Sequence, residues 1–346
     1  MKTAVVTGCC GFIGSHIAKR LLSTGWSVLG IDNLSRVGTS FNLEQLQTLD
    51  NFILKAVDVT NTTQINNIFK QTKDISLVVH QAAQVAVTTS ITDPSLDFNT
   101  NALGTFNILE AVRNYSPEAV LQYASTNKVY GKLIPDNSSR REELIDIIRL
   151  RGVPETQSLD FFSPYGCSKG VADQYVRDYS RIYGLKTNVL RQSCIYGTHQ
   201  FGIEDQGWVA WFVIASLLNR KITIYGTGNQ CRDILWIHDL VHAYEELYKN
   251  ISVTTGNIYN VGGGPGNVLS LNELVAKLSG MGYLKQPIMQ SAERPGDQFI
   301  YVSDNSLLSS HTGWKPTTSV DVGIQKIAKW TESNIQEVRR ILDFKK

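Results

Sequence analysis

The first fourteen residues constrain the fold more than any other stretch. TAVVT at 3–7 is a short β-branched run, and TGCCGFIG then places Gly8, Gly11 and Gly14 at the entry to an amphipathic stretch. A strand that turns directly into a helix through closely spaced glycines lets another group approach the backbone, and the free N–H groups and dipole of the helix N-terminus favour a phosphate there. The next β-branched run, WSVLGID at 26–32, ends on Asp32, 18 residues beyond Gly14. A carboxylate at that point is placed to accept hydrogen bonds from an adenosine ribose and to repel a 2′-phosphate. The pattern predicts a dinucleotide site that prefers NAD to NADP; Arg36 nearby argues the other way.

The same alternation continues. NFILKAV (51–57), ISLVVH (75–80), AVLQYAS (119–125) and TNVLRQS (187–193) read as strands, separated by amphipathic stretches such as 101–114 and 166–183. In the latter, Phe106, Leu109 and Val112, and then Val171, Tyr175 and Ile182, recur at helical spacing, as core or oligomer faces do. Strands alternating with helices predict an α/β fold, a Rossmann-type doubly wound parallel sheet. After residue 193 the regularity breaks and glycines cluster at 226–229 and 262–266. The expected organisation is a dinucleotide-binding domain over 1–190 and a smaller α/β substrate domain over 191–346, with segments of the latter returning to the first.

Composition narrows the partner. The net charge of +2, from 33 basic and 31 acidic residues, offers no basic stripe for nucleic acid. The longest apolar run, 208–219, is too short to span a bilayer. The five cysteines form no Cys-x-x-Cys pair, and adjacent Cys9 and Cys10 suit neither a disulfide framework nor a zinc site. A cytoplasmic protein with a small-molecule partner, no metal and no membrane or nucleic-acid contact is expected.

The glycine spacing, Gly-x-x-Gly-x-x-Gly, resembles that of the extended short-chain dehydrogenase/reductases. The resemblance implies that Phe12 and Ile13 in the loop, and Asn33, Ser35 and Arg36 beyond Asp32, join the NAD site. It implies the same for Asp58 and Val59 after the third strand and for Ala82, Ala83 and Gln84 in HQAAQV (80–85), and it sets Asn101 near the nicotinamide end.

It also gives a context to SPYGCSKG (163–170). Tyr165 and Lys169 lie one helical turn apart, on one face, with Cβ atoms about 5–6 Å apart. ASTNKVYG (124–131) brings Thr126 to the carboxyl end of the fifth strand, where open α/β sheets bind ligands. Alcohol oxidation needs a base at the hydroxyl, and a tyrosine with an ordinary pKa near 10 is a poor one at neutral pH. Lys169 and a cationic nicotinamide ring both favour the phenolate, so Tyr165 is the expected acid and base, with Thr126 orienting the sugar oxygen. Cys167 points away from that face. The 4,6-dehydratases of the family carry an acidic pair after the threonine, and the related decarboxylases a glutamate; this chain has Asn127 and Lys128. Oxidation followed by reduction at one carbon is the chemistry that remains, which is epimerisation.

Over essentially the whole chain, IDNLSRVG, ASTNKVYG, LDFFSPYGCSKGVADQYVRDYSRIYGL, DQGWVAWF and GTGNQCRDILWIHD look most like the CDP-tyvelose (CDP-paratose) 2-epimerases. The resemblance implies a CDP-sugar partner, with Thr88, Thr126, Asn127, Gln206, Trp208 and Val209 bordering the sugar or base. Arg232 and Arg294 are candidates to clamp its diphosphate, unless each is spent on an ion pair with nearby Asp233 or Asp297. Arg140, Arg141, Arg149 and Arg151 in the 132–162 connection either fold over the sugar or form a solvated loop. The two amphipathic helices resemble those that pair into a homodimer. The alternatives are a UDP-sugar 4-epimerase of the same fold and a non-catalytic NAD-binding regulator.

Overall fold

A computed structural model describes residues 2–135, 138–294 and 298–343. Six strands follow the sequence runs closely: β1 (Thr3–Thr7), β2 (Ser27–Asp32), β3 (Phe52–Ala56), β4 (Ile75–His80), β5 (Val120–Thr126) and β6 (Lys186–Gln192). β1, β4 and β5 are buried almost throughout, which is why they read as continuous apolar runs and not as an alternation. All pairings are parallel, in the order β6, β5, β4, β1, β2, β3, and a seventh strand, Asn257–Val261, adds itself to β6. Connections reverse direction between β1 and β4. The crevice beyond their carboxyl ends is where such sheets bind ligands.

The helix that carries Tyr165 and Lys169 spans Ser163–Tyr183, opens on Pro164 in its first turn, where a missing N–H costs nothing, and stops at Gly184 with φ 69°. Ala172, Val176 and Tyr179 bury one face against the sheet. The predicted stripes divide between core and surface. Leu109 and Val112 are fully buried, whereas Phe106, Val171, Tyr175 and Ile182 are exposed large hydrophobics.

Much of the C-terminal half builds smaller sheets. Cys231–Trp236 pairs antiparallel with Val268–Ser270 and parallel with Cys194–Tyr196 and Ile300–Tyr301, and Ile222–Tyr225 pairs with Ile288–Ser291. The apolar run at 208–219 contains the helix Trp208–Leu217, buried in the main core. Among the described residues no helix is long and apolar enough to cross a membrane. Among its described residues, the 132–162 connection is neither a solvated loop throughout nor part of the main cleft's lining. It contains the helix Arg141–Arg151, whose Ile145 packs with Ile134, Ile300 and Val302, while Arg140 pairs with Glu143 on the surface.

Two buried imidazoles make the fold acid-sensitive. His80 bonds Thr7 and Thr105 at 2.6 and 3.0 Å, and His16 bonds the Phe12 carbonyl at 2.9 Å. Burial pushes each down to about 3. The unfolded chain protonates them near pH 6.5, so their contribution is intact above that value and is lost as pH falls toward 3. The slope approaches about 1.4 kcal/mol per pH unit for each. Thermal midpoints are therefore expected to drop steadily below pH 6.5; midpoints flat to about pH 4.5 would contradict the buried neutral state.

Candidate active site

The glycine turn closes because nothing larger fits. A Cβ on Gly14 would lie 2.1 Å from the Gly8 carbonyl oxygen, and one on Gly8, at φ +66°, would lie 2.7 Å from the Ala82 nitrogen. β1, the helix Phe12–Ser23 and the loop after β4 thereby pack together at the head of a cleft of about 580 Å³. Gly11, Phe12 and Ile13 line it from the turn; Asn33, Ser35 and Arg36 from the β2 end; Val59, Ala83 and Gln84 from the β3 and β4 ends.

Asp32 accepts the Cys10 and Leu34 backbone N–H groups at 2.9 and 2.8 Å. Burial raises its carboxyl above the usual range, and those two bonds pull it back. Burial would also raise Asp58, but bonds from Thr60 and from Asn33, at 2.7 Å, outweigh it and hold the group low. A glycine cradle with no room for a Cβ and two acidic groups beyond it fit NAD. Arg36 does not argue against this: it donates to Gln206 across the cleft, with its charge facing Tyr165 and Asp32.

Asn101, expected near the nicotinamide end, is tied to the loop after β4. It is buried, donates to the Gln84 carbonyl and Ser168 hydroxyl at 3.0 and 3.1 Å, and accepts the Gln84 N–H at 2.9 Å. It braces the loop that lines the cleft and does not line the cleft itself.

At the reacting centre, Thr126 ends β5, and the buried Tyr165 sits in the first turn of the helix Ser163–Tyr183. Burial pushes that phenol up to about 12 and Asp97 adds to the rise, against the Thr126 hydroxyl and the Arg36 charge. Lys169, expected to favour the phenolate, lies one turn further along the same helix. Its ammonium donates to the Ala124 carbonyl at 2.6 Å and lies 4.3 Å from the Tyr123 ring centroid. Burial brings it down to about 7, although Asp173 and Asp97 oppose the shift. Tyr165 and Lys169 both line the cleft.

The substrate residues divide. Gln206 lines the cleft, and Arg294 lies near it, paired with Asp205 at 2.9 Å and stacked 3.7 Å from the Tyr225 ring centroid. Asp297, its other expected partner, lies outside the described residues. Arg232 is buried and gives its guanidinium to the backbone carbonyls of Cys231 and Gln298, which departs from an open phosphate clamp. Val209 packs into the core at 2% exposure, and Trp208 is partly buried, its indole N–H donating to the Cys194 sulfur at 3.5 Å. Neither side chain lines the cleft, and Thr89 lines it where Thr88 was expected. Asn127 is buried and bonded to Gln298.

Sequence reading missed Gln81 and Gln192, which line the cleft and donate to the Tyr244 hydroxyl at 2.5 and 2.7 Å. Gln192 was within reach, as the last residue of β6. His199 and Phe201 also line the cleft, from a segment without periodicity.

The cysteines are free thiols, and Cys167 is exposed on the helix face away from the buried Tyr165 and Lys169. Cys9, Cys10 and Asp32 bring three ligand atoms within 4.8 Å of one another. The hydrogen bond to Cys10 and burial push the Cys9 thiol far up.

A glycine-turn cleft with a threonine, tyrosine and lysine at the strand ends is the arrangement of an extended short-chain dehydrogenase/reductase. The family model described as GDP-mannose 4,6 dehydratase matches residues 5–327, and the chain belongs to that family of enzymes. It is 41% identical over 335 residues to the CDP-paratose 2-epimerase of Salmonella typhi, covering 95% of this chain and 99% of that protein. Among solved structures it is similar to UDP-glucose 4-epimerase from Thermotoga maritima with UDP-glucose, at TM-score 0.83 and 27% identity over 96% of this chain and 99% of that one. It is also similar to Thermus thermophilus UDP-glucose 4-epimerase in complex with NAD, at TM-score 0.80 and 29% identity over 95% and 99%.

Proposed function

We propose that this chain is an NAD-dependent nucleotide-sugar epimerase that inverts C2 of a CDP-linked deoxyhexose, by transient oxidation to a 2-keto sugar and reduction on its other face. The observation that carries this reading is the centre itself: Thr126, Tyr165 and Lys169 converge, and the positions after the threonine hold an amide and an amine, Asn127 and Lys128. Likeness to the Salmonella enzyme supports CDP and C2.

The glycine cradle, Asp32 and Asp58 would hold NAD, which supplies a reversible two-electron acceptor. Tyr165 takes the proton from the sugar hydroxyl and returns it. Thr126 orients that oxygen, and Lys169, held by Ala124, supplies positive charge to the buried site. With no carboxylic acid following Thr126, the chain holds no acid there for expelling water. Residues 191–346 would mainly bind the nucleotide sugar, with Arg294 and Gln206 toward the nucleotide. The free thiols support a reducing cytoplasm.

A second reading, inversion at C4 of a UDP-sugar, is favoured by the likeness to the two UDP-glucose 4-epimerases. Incubating purified protein with CDP-paratose and UDP-glucose, followed by proton NMR, separates the two. Inversion at C2 of the CDP-sugar is expected; inversion at C4 alone would sink the C2 assignment.

The exposed Phe106 and Tyr175, whose ring centroids are 6.1 Å apart, with Val171 and Ile182 beside them, support a homodimer built on these helices. Light scattering at micromolar concentration should give twice the chain mass, and Tyr175→Glu should shift it toward the monomer. A monomeric wild type would refute the dimer.

A further inference from the structure

Two glutamines of the cleft have no part in the chemistry so far. Gln81 directly follows β4, and Gln192 ends β6 in register with Thr126 at the end of β5. Both line the cleft, and their amides meet on one group: each Nε2 donates to the hydroxyl of Tyr244, a buried residue of the helix Ile237–Lys249, at 2.5 and 2.7 Å. Among the described residues neither Oε1 has a hydrogen-bond partner, and neither is sealed in the interior.

Tyr244 has a single proton and can satisfy the oxygen of at most one of these amides. At least one carbonyl oxygen is therefore left to the cleft however the amides are turned. With both turned as described, the pair offers two acceptors. With one reversed, it offers an acceptor and a donor. Either set complements a primary carboxamide, which carries two N–H donors and one carbonyl.

The place fits the same group. The glycine turn follows β1 and Asp32 ends β2. A dinucleotide laid across the crevice with its adenosine at Asp32 brings its other nucleoside to the far side of β1, over the ends of β4, β5 and β6. Gln81, Gln192, Tyr165 and Lys169 line the cleft there.

We infer that Gln81 and Gln192, anchored by Tyr244, recognise the nicotinamide carboxamide by accepting its N–H groups. The inference deepens the proposed function and rests on NAD as its cofactor, whichever sugar carbon is inverted. Held in this way, the ring would keep one face toward the sugar in both oxidation and return.

The test is dinucleotide retention with no sugar present. Purified protein is exchanged against an equal mixture of NAD and 3-acetylpyridine adenine dinucleotide, in which a methyl group replaces the carboxamide NH2, and the bound species are counted by mass spectrometry after gel filtration. The wild type should hold NAD over the analogue by about tenfold, because the analogue leaves a glutamine carbonyl unpaired. Gln192→Met and Gln81→Met should each lower that ratio by about threefold or more, while ADP-ribose, which has no ring, binds wild type and variants alike. No preference in the wild type, or the wild-type ratio kept in both variants, would overturn the inference. Should Gln192→Met fail to fold, the ratio in Gln81→Met decides alone. A wild type that retains neither dinucleotide would defeat the NAD reading itself; NAD bound without preference defeats only the role given to the glutamines.

Discussion

Tyr165→Phe is expected to fold, to keep its NAD and to lose turnover by about 10²- to 10⁴-fold, the usual contribution of a positioned acid and base. The ring stays, so the packing of a residue 8% exposed at the start of a 21-residue helix is preserved. What disappears is the hydroxyl of a residue that lines the cleft. Burial holds this phenol near 12, so its use near neutral pH requires positive charge close by. Arg36 already lowers it, and an oxidised nicotinamide would add to that effect. Near-normal turnover in Tyr165→Phe, with NAD still bound, would remove Tyr165 from the chemistry.

Asp173→Ala should cost about 3–5 kcal/mol of stability, because it strands a buried charge. Arg191 gives Asp173 two parallel bonds, both at 2.9 Å, and the pair is almost fully buried. The carboxylate also accepts Ser125 at 2.7 Å, next to Thr126, so it ties the Tyr165 helix to the ends of β5 and β6. Urea midpoints should record the loss, and replacing both partners, as Asp173→Leu with Arg191→Met, should recover most of it. A single variant as stable as the wild type would show that water or another group compensates Arg191.

The dinucleotide half of the site was legible because its chemistry is local. Gly8, Gly11, Gly14 and Asp32 lie within one strand, turn, helix and strand unit, and the close approach that excludes a Cβ occurs within that unit and the next loop. Tyr165 and Lys169 were legible through helical spacing, and Thr126 through its place at a strand end. The sequence could not show the direction of the Lys169 ammonium, since the carbonyl it meets is 45 residues away. Nor could it separate Asn101 as brace from Asn101 as contact, because either role wants a buried amide. Nor could it place Val209, because an apolar residue opening a helix looks the same whether it faces a pocket or the core. Gln298 had no signal at all, being a lone glutamine whose partners are set only by the tertiary fold. The strand Asn257–Val261 shows the same limit: its address in the first sheet depends on a long crossover that no local pattern encodes.

The central claim is that oxidation and reduction occur at one carbon with hydride held inside the protein. CDP-paratose carrying deuterium at C2, converted by the purified protein in ordinary water without added NAD and followed by NMR and mass spectrometry, tests this directly. The inverted product should keep its deuterium at C2, with no accumulation of reduced cofactor. Loss of the label to solvent, or a product inverted elsewhere with C2 untouched, would contradict it.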